Sequence, residues 1–337
     1  MLNQLPQTVP VFLVLVVVSV AILWKSADWF VEGAVGIAYR LHVPPMLVGI
    51  VLVSLATTAP ELMASLLAAL RGMPEVALGN AVGSVLVDAS VALGLAAVVA
   101  RRPLEAHPRV FRTSATFLLL VIGLSFLMTL NGTLGRAEGL VLVGLFVVYT
   151  AYTYRENRRH PESAPVDTEA LAAEAAMPVR RILLLFGAGA VGVYFGSSFL
   201  IHGATGLASV FQVPDVIAGL TVVAVGTSTP EIATVVASAR RGESSVGVGN
   251  VIGADILNIC WVAGVSAAAN PLTAQKSVIW LMFPAMVIVV VTMLLMLRRK
   301  YQLGRRNGAV LLSLYATYAV VLVALVATGV IKPPPIH

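Results

Sequence analysis

Long apolar runs, interrupted at short intervals by clusters of charge, proline and glycine, make up most of this chain. A helix needs about 20 apolar residues to cross the hydrocarbon core of a bilayer. Cutting at the interruptions leaves ten segments of that length, at roughly 9–40, 44–71, 74–100, 108–130, 134–154, 179–209, 214–240, 244–270, 276–297 and 307–331. Several are longer than a straight crossing requires, which predicts tilt or internal breaks. The only sizeable polar connection runs from Arg155 to Pro178. It is too short for a folded domain and reads as a linker, so the expected organisation is five spans in 1–154, a connection in 155–178 and five spans in 179–337.

Composition turns this pattern into a class. Of 337 residues, 58% are hydrophobic and only 11% charged, with a mean hydropathy of +0.93. Ordinary soluble domains are about a quarter charged, so this chain has too little polar surface to cover a water-soluble globule. A soluble enzyme, a nucleic-acid-binding domain and a disordered chain are excluded, and an all-α integral membrane protein is expected. The single cysteine, Cys260, sits among apolar neighbours and reads as a buried, inert thiol. No Lys or Arg occurs in the first ten residues, so the opening lacks a signal's basic region and Val9 begins a retained span.

The net charge of +6 is a topology signal once the positives are placed. With ten spans, one set of loops holds 17 Lys and Arg residues, among them Arg40, Arg101, Arg102, Arg155, Arg240, Arg298 and Lys300. The other set holds four: Arg71, Arg136, Lys276 and Lys332. Basic loops face the cytoplasm. The expectation is a multi-pass protein of the inner membrane with both termini outside and the linker cytoplasmic.

Sliding the chain against itself at an offset of 170 aligns Gly33–Ala97 with Gly203–Ala267 without gaps, with 20 identities in 65 positions. Apolar helices match by composition alone, so the informative identities are the others. They include Pro44 with Pro214, Thr57 with Thr227, Pro60 with Pro230 and Glu61 with Glu231. Arg71 matches Arg241, while Gly79, Asn80 and Gly83 match Gly249, Asn250 and Gly253. Five spans per half is an odd number, so the second copy enters the membrane from the opposite side. Inverted pairs of this kind build many secondary transporters, with the substrate site near mid-membrane between the halves.

Six acidic residues fall within the predicted spans: Asp28, Glu32, Glu61, Asp88, Glu231 and Asp255. An ionisable group at the bilayer centre costs several kcal/mol, roughly 2.5–3.5 on insertion scales, unless it is paired or functional. Only Lys25 lies clearly within a span as a counter-charge, so the acids call for bound cations or protons. Glu61 in TTAPE and Glu231 in TSTPE lie near mid-depth. Proline inside a helix removes a hydrogen bond, so Pro60 and Pro230 predict freed carbonyls beside each glutamate. Thr57, Thr58, Thr227 and Ser228 place hydroxyls one turn away; a second reading has them repairing a kink. Asp88 and Asn258 each follow their half's glutamate by 27 residues. Together these hard oxygens could supply the six to eight ligands, at about 2.3–2.6 Å, that Ca²⁺ takes.

The paired motifs resemble the alpha repeats of the sodium/calcium exchangers in the cation/calcium exchanger superfamily, roughly G-T-S-x-P-E followed by G-N-x-x-G-S-N-x-x-N or D. The resemblance implies a ten-helix antiporter in which Ca²⁺ and Na⁺ compete for one central site, with no cofactor. It implies ion ligands at Glu61, Glu231, Thr57, Thr58, Thr227, Ser228, Ser84, Asp88 and Asn258, and gating by the first and sixth spans. The chain departs from the pattern at Ala56, Val85 and Ala254, where the family usually has Gly, Asn and Ser. Asp255 stands where the family has Asn; it is either a fourth acid at the site or a residue that holds a neighbouring helix by hydrogen bonds, the reading preferred here.

Lys25, Asp28 and Glu32 share a helix face, and Lys25 with Asp28 is expected as a structural ion pair. His202 is either a proton-coupling group or simply hydrogen-bonded, and the four tryptophans are left without a role. The expected function is Ca²⁺ extrusion against inward Na⁺ flow, with the cations and the bilayer as partners and one chain as the functional unit. H⁺ coupling in the same fold is the alternative. An intramembrane hydrolase with Glu61 and Glu231 as an acid pair, and a non-transporting cation sensor, are the rivals from other classes.

Overall fold

A computed structural model describes residues 8–41, 53–159, 177–241, 244–273 and 276–331. Its helices, in chain order, begin with α1 (Val9–Arg40), α2 (Val53–Thr57) and α3 (Ala59–Leu70). Next, α4 (Pro74–Val87) runs through a π-helical turn, Asp88–Ala92, into α5 (Leu93–Val99), and α6 (Pro108–Thr129) and α7 (Arg136–Arg159) complete the first half. The second half opens with α8 (Val179–Val210) and α9 (Asp215–Ala218), which a π turn at Gly219–Val223 joins to α10 (Ala224–Thr227). It continues through α11 (Thr229–Arg241) and α12 (Ser244–Leu257), which a π turn at Asn258–Ala263 joins to α13 (Gly264–Ala269). The last helices are α14 (Lys276–Arg298) and α15 (Arg305–Ala327).

This is an all-α, multi-pass membrane fold. Among the described residues eight helices are long and apolar enough to cross a bilayer, or nine when the bent pair Asp215–Thr227 and Thr229–Ala237 counts as one span. The expected span 44–71 is described only from Val53, as α2 and α3, and its first part lies outside the described residues. Most of the expected linker, residues 160–176, lies outside them as well.

Short antiparallel strands tie the halves together at two places, a detail that the reading of ten helices did not include. Leu104–Glu105 (β1) pairs with Gln302–Leu303 (β4), and Thr133–Leu134 (β2) pairs with Leu272–Thr273 (β3). Both pairings join one loop from each half.

Helices α1 and α8 pack against each other through glycines. A Cβ on Gly33 would fall 2.4 Å from the backbone of Phe186, and one on Gly189 would fall 2.4 Å from that of Phe30. Gly196 faces Leu23 and Gly203 faces Phe12. Residue numbers fall along α1 as they rise along α8, so the two helices are antiparallel, and only glycine lets their backbones come this close. The innermost helices are α4 and α12, each with its continuation. In both Pro74–Val99 and Gly247–Ala269, 78% of the most apolar window is buried, against 22% for α1 and 33% for α8.

Candidate functional site

The two TPE motifs break their helices in the same way. α2 ends at Thr57, and Thr58 (φ −82°, ψ 8°) caps α3, placing Pro60 in its first turn. In the second half α10 ends at Thr227, Ser228 (φ −75°, ψ 3°) interrupts the helix, and α11 restarts at Thr229. The chain turns by 42° there. Proline was expected to interrupt each helix and free carbonyls beside the glutamate; the helices do break, but each proline sits in the first turn of the new helix, where its missing N–H has no bond to lose. The break falls on the hydroxyl residue before it. Each glutamate is therefore carried in the first turn of a helix, where backbone N–H groups favour negative charge.

Facing these breaks, α4 and α12 change winding where their polar residues lie. Asp88 opens one π turn and Asn258 opens the other. A π turn inside an α-helix is rare and frequently marks a functional site, because the extra residue releases a carbonyl from the regular ladder. Close approach of α4 to the second half depends on glycine: a Cβ at Gly79 would lie 2.6 Å from the carbonyl oxygen of Val216, and one at Gly219 would lie 2.5 Å from that of Val76.

The structure brings the expected residues together in a buried centre. Glu61, Ser84, Asp88, Asp255, Asn258, Thr227 and Ser228 have no measurable exposure, Thr58 and Glu231 are also buried, and Thr57 is half-buried. The amide of Asn258 donates to Asp88 at 3.3 Å, joining the two π turns. The Ser228 hydroxyl neighbours the carboxylates of both Glu61 and Asp88. Glu231 lies within electrostatic range of Glu61 and Asp88, and Asp255 within range of Asp88.

What distinguishes this centre is its unmet hydrogen-bonding capacity. Buried polar groups are nearly always partnered. Yet both oxygens of Glu61, Glu231 and Asp255 have no hydrogen bond, nor do Oγ of Ser84 and Ser228, Oδ1 of Asp88 and Oδ1 of Asn258. These are ten of the fourteen such atoms among the described residues. The oxygens are all acceptors or hydroxyls, the chemistry that hard cations take. As the side chains stand, no three His, Cys, Asp or Glu residues among those described are near enough to one another to hold a metal ion. A cation here would rely on hydroxyl, amide and backbone oxygens as well as carboxylates.

Two expectations need correction. Asp255 was read as holding a neighbouring helix by hydrogen bonds, but both its oxygens are buried without any. His202 was offered a simple hydrogen bond, yet its Nε2 is buried and unpartnered, with the ring edge against Phe12 at 6.0 Å. Lys25 and Asp28 do pair, at 3.9 Å, well exposed and away from the buried centre. Cys260 is buried, as expected.

Sequence reasoning overlooked Asn80 as part of the centre. Its amide donates to the Glu61 carbonyl at 3.2 Å and to Ser65 Oγ at 2.9 Å, while Thr227 Oγ1 donates to its Oδ1 at 3.2 Å. One side chain thus links the helix breaks of both halves. Its signal was already visible, since Asn80 and Asn250 are among the few polar identities of the repeat. Ser197 on α8 adds a further link, donating to the Pro60 carbonyl at 3.4 Å.

A polytopic membrane protein with buried, unpaired carboxylates at paired helix breaks belongs among the ion transporters rather than the enzymes. The family profile described as "Sodium/calcium exchanger protein" matches residues 11–155 and 181–324. The putative antiporter CaxA of Alkalimonas amylolytica is 32% identical over 309 residues, covering 90% of this chain and 96% of that protein. The inner membrane protein YrbG of Escherichia coli is 32% identical over 304 residues, covering 88% and 92% respectively. Among solved structures, the sodium-calcium exchanger NCX_Mj soaked with Na⁺ and Sr²⁺ superposes with a TM-score of 0.64 at 26% identity, over 93% of this chain and 99% of that one. The chain belongs to the sodium/calcium exchanger family.

Proposed function

We propose that this protein is a secondary active antiporter that extrudes Ca²⁺ in exchange for Na⁺ by alternating access through its buried acidic centre. The observation that carries the reading is the convergence of unpartnered oxygens from both halves at two helix breaks and two π turns. A buried carboxylate without a counter-charge is too costly to keep as an anion, so the centre must be neutralised, and in this reading a bound metal cation does it. Glu61 and Glu231 serve either ion. Asp88, Asn258, Ser84, Thr57, Thr58, Thr227 and Ser228 complete the oxygen shell, and Asp255 adds a further negative charge at its edge. Because Ca²⁺ and Na⁺ use the same carboxylates, each must leave before the other binds, which is the condition for exchange rather than leak.

The architecture we infer is ten spans in two inverted repeats, 1–154 and 179–337, joined by the connection 155–178. Supporting it, the two stretches matched by the family profile begin 170 residues apart, the offset of the internal repeat. α1 and α8, equivalent under that offset, are antiparallel. Each strand pair joins loops that the charge distribution assigns to the same side, β1 with β4 on the basic side and β2 with β3 on the other. The basic side is cytoplasmic, the termini are outside, the membrane is the inner membrane, and one chain is the functional unit.

The test is ⁴⁵Ca²⁺ uptake into proteoliposomes loaded with Na⁺, K⁺ or acid. Uptake driven by internal Na⁺ and lost in Glu61→Gln and Glu231→Gln is expected; wild-type rates in both variants would remove these residues from the site. Asp255, buried with both oxygens free, favours a second reading in which H⁺ replaces Na⁺. Uptake driven by a pH gradient in the absence of Na⁺, and lost in Asp255→Asn, would establish it.

A further inference from the structure

Away from the acidic centre, a groove of about 890 Å³ opens where α14 ends and the chain turns toward α15. Three consecutive cations, Arg298, Arg299 and Lys300, line its mouth. All three are exposed, and none enters an ion pair among the described residues. Behind them Leu295 and Met296 continue down α14 toward Thr292, and Pro103 lies among the lining residues with the polar side chains of Gln302 and Asn307. Leu295 is 56% exposed, on the last turn of a helix that spans the bilayer, so the groove runs from the water interface into the depth of acyl chains.

The turn that presents these cations is held in an unusual conformation. Lys300 and Tyr301 have φ of 63° and 54°, the left-handed region that residues other than glycine rarely adopt. Tyr301 is fixed in it from three directions. Its carbonyl accepts from the Ala106 N–H at 2.9 Å, its hydroxyl accepts from Arg112 Nε at 3.2 Å, and its ring stands edge-on to Phe111 at 5.7 Å. Counted back from the strands that follow, the turn before β2 has Gly132 (φ 99°) where the turn before β4 has Tyr301, and Thr129, Leu130 and Asn131 where the latter has the three cations. The repeat therefore builds the turn twice but the charged groove once. A general preference for basic loops on one side accounts for the charges; it does not account for their position on an anchored turn above the exposed Leu295.

We propose that this groove is a binding site for an anionic phospholipid. The phosphodiester lies on the Arg298 and Arg299 guanidinium groups, whose planar forks suit phosphate oxygens, with Lys300 adding charge, and an acyl chain follows Leu295 and Met296. A free phosphate offers the same anionic chemistry without the chain.

The full-length protein in mild detergent is titrated with spin-labelled phosphatidylglycerol, with matched phosphatidylcholine, and with phosphatidylglycerol in competition with inorganic phosphate. Immobilised phosphatidylglycerol is expected in preference to phosphatidylcholine. Each single substitution to Gln at 298, 299 or 300 should weaken it roughly fivefold, and the three together on the order of a hundredfold. Leu295→Ser should weaken lipid binding while leaving millimolar phosphate a poor competitor. If the triple variant loses its thermal transition, the single variants carry the test. Wild-type lipid affinity in the Gln variants, or equal binding of phosphatidylcholine, would overturn the proposal. Full displacement by inorganic phosphate would replace the lipid with a soluble anion and overturn it too.

Discussion

Among the described residues, helices α1 and α8 are the longest and among the less enclosed of the spanning helices, whereas α4 and α12 with their continuations are the most enclosed. Both pairs depend on glycine to bring backbones together, but for different ends. Between α1 and α8 the close faces belong to those two helices, a second face reaches the helix breaks, as Ser197 does at the Pro60 carbonyl, and the outer side is left to lipid, with Val14, Val17, Leu183 and Leu184 exposed. Between α4 and the segment Asp215–Val223, Gly79 and Gly219 lock inner backbones around polar atoms. Like sequence signals thus produce an enclosed polar core and a partly lipid-facing pair whose closest packing is with itself. In an antiporter the first arrangement suits an ion site and the second suits a gate.

The sharpest break in this comparison is at the carboxylates. Glu61→Gln or Glu231→Gln should lower Na⁺-driven Ca²⁺ uptake on the order of a hundredfold, matching roughly 3 kcal/mol of lost interaction with a charged group. The melting temperature should stay level or rise, since a neutral amide is easier to bury than an unpaired anion. Lower uptake together with a lower melting temperature would instead mark a structural role.

Asn80→Ala should come next. It removes three buried hydrogen bonds, worth about 1 kcal/mol each, and frees the two helix breaks to move independently. A loss of about 3 kcal/mol in denaturant or thermal unfolding is expected, with weaker apparent Ca²⁺ affinity. Unchanged affinity would show that the breaks are held by other contacts.

Glycine substitution tests the two interfaces against each other. Gly219→Ala, whose Cβ would lie 2.5 Å from the Val76 carbonyl, should destabilise by about 2 kcal/mol because neighbours on every side prevent relief. Gly189→Ala meets the Phe30 backbone at 2.4 Å, but α8 can yield toward lipid, so about 1 kcal/mol is expected, with slower exchange as the main effect. Equal melting shifts would erase the distinction between core and gate. The smallest effect belongs to Lys25→Ala: the Lys25–Asp28 pair is exposed at 3.9 Å, and removing it should change stability by less than ~0.5 kcal/mol.

Much of this was legible before any coordinates. Spans follow from apolar length because a bilayer tolerates little else, and paired Thr, Pro, Glu and Asn residues in register at an offset of 170 are not produced by hydrophobicity. The local form of the breaks was less legible. Proline signals an interruption, but whether it kinks one helix or opens another depends on the capping residue and its packing, and here Thr58 and Ser228 take that position. The π turns at Asp88 and Asn258 leave no sequence signal, since a single extra residue in a helix is imposed by tertiary fit.

What the amino-acid order determined by itself is the membrane class, the internal sequence repeat, the concentration of basic residues in one set of loops and the identity of the acids, because each is a property of composition or spacing along the chain. Tertiary structure decided which oxygens remain without partners. Asp255 and Asn80 are both polar residues on the innermost helices, α12 and α4; one is buried with both oxygens free and the other spans two helix breaks. Hydrogen-bond satisfaction depends on groups brought from 147 residues away, and only the packed chain sets those distances.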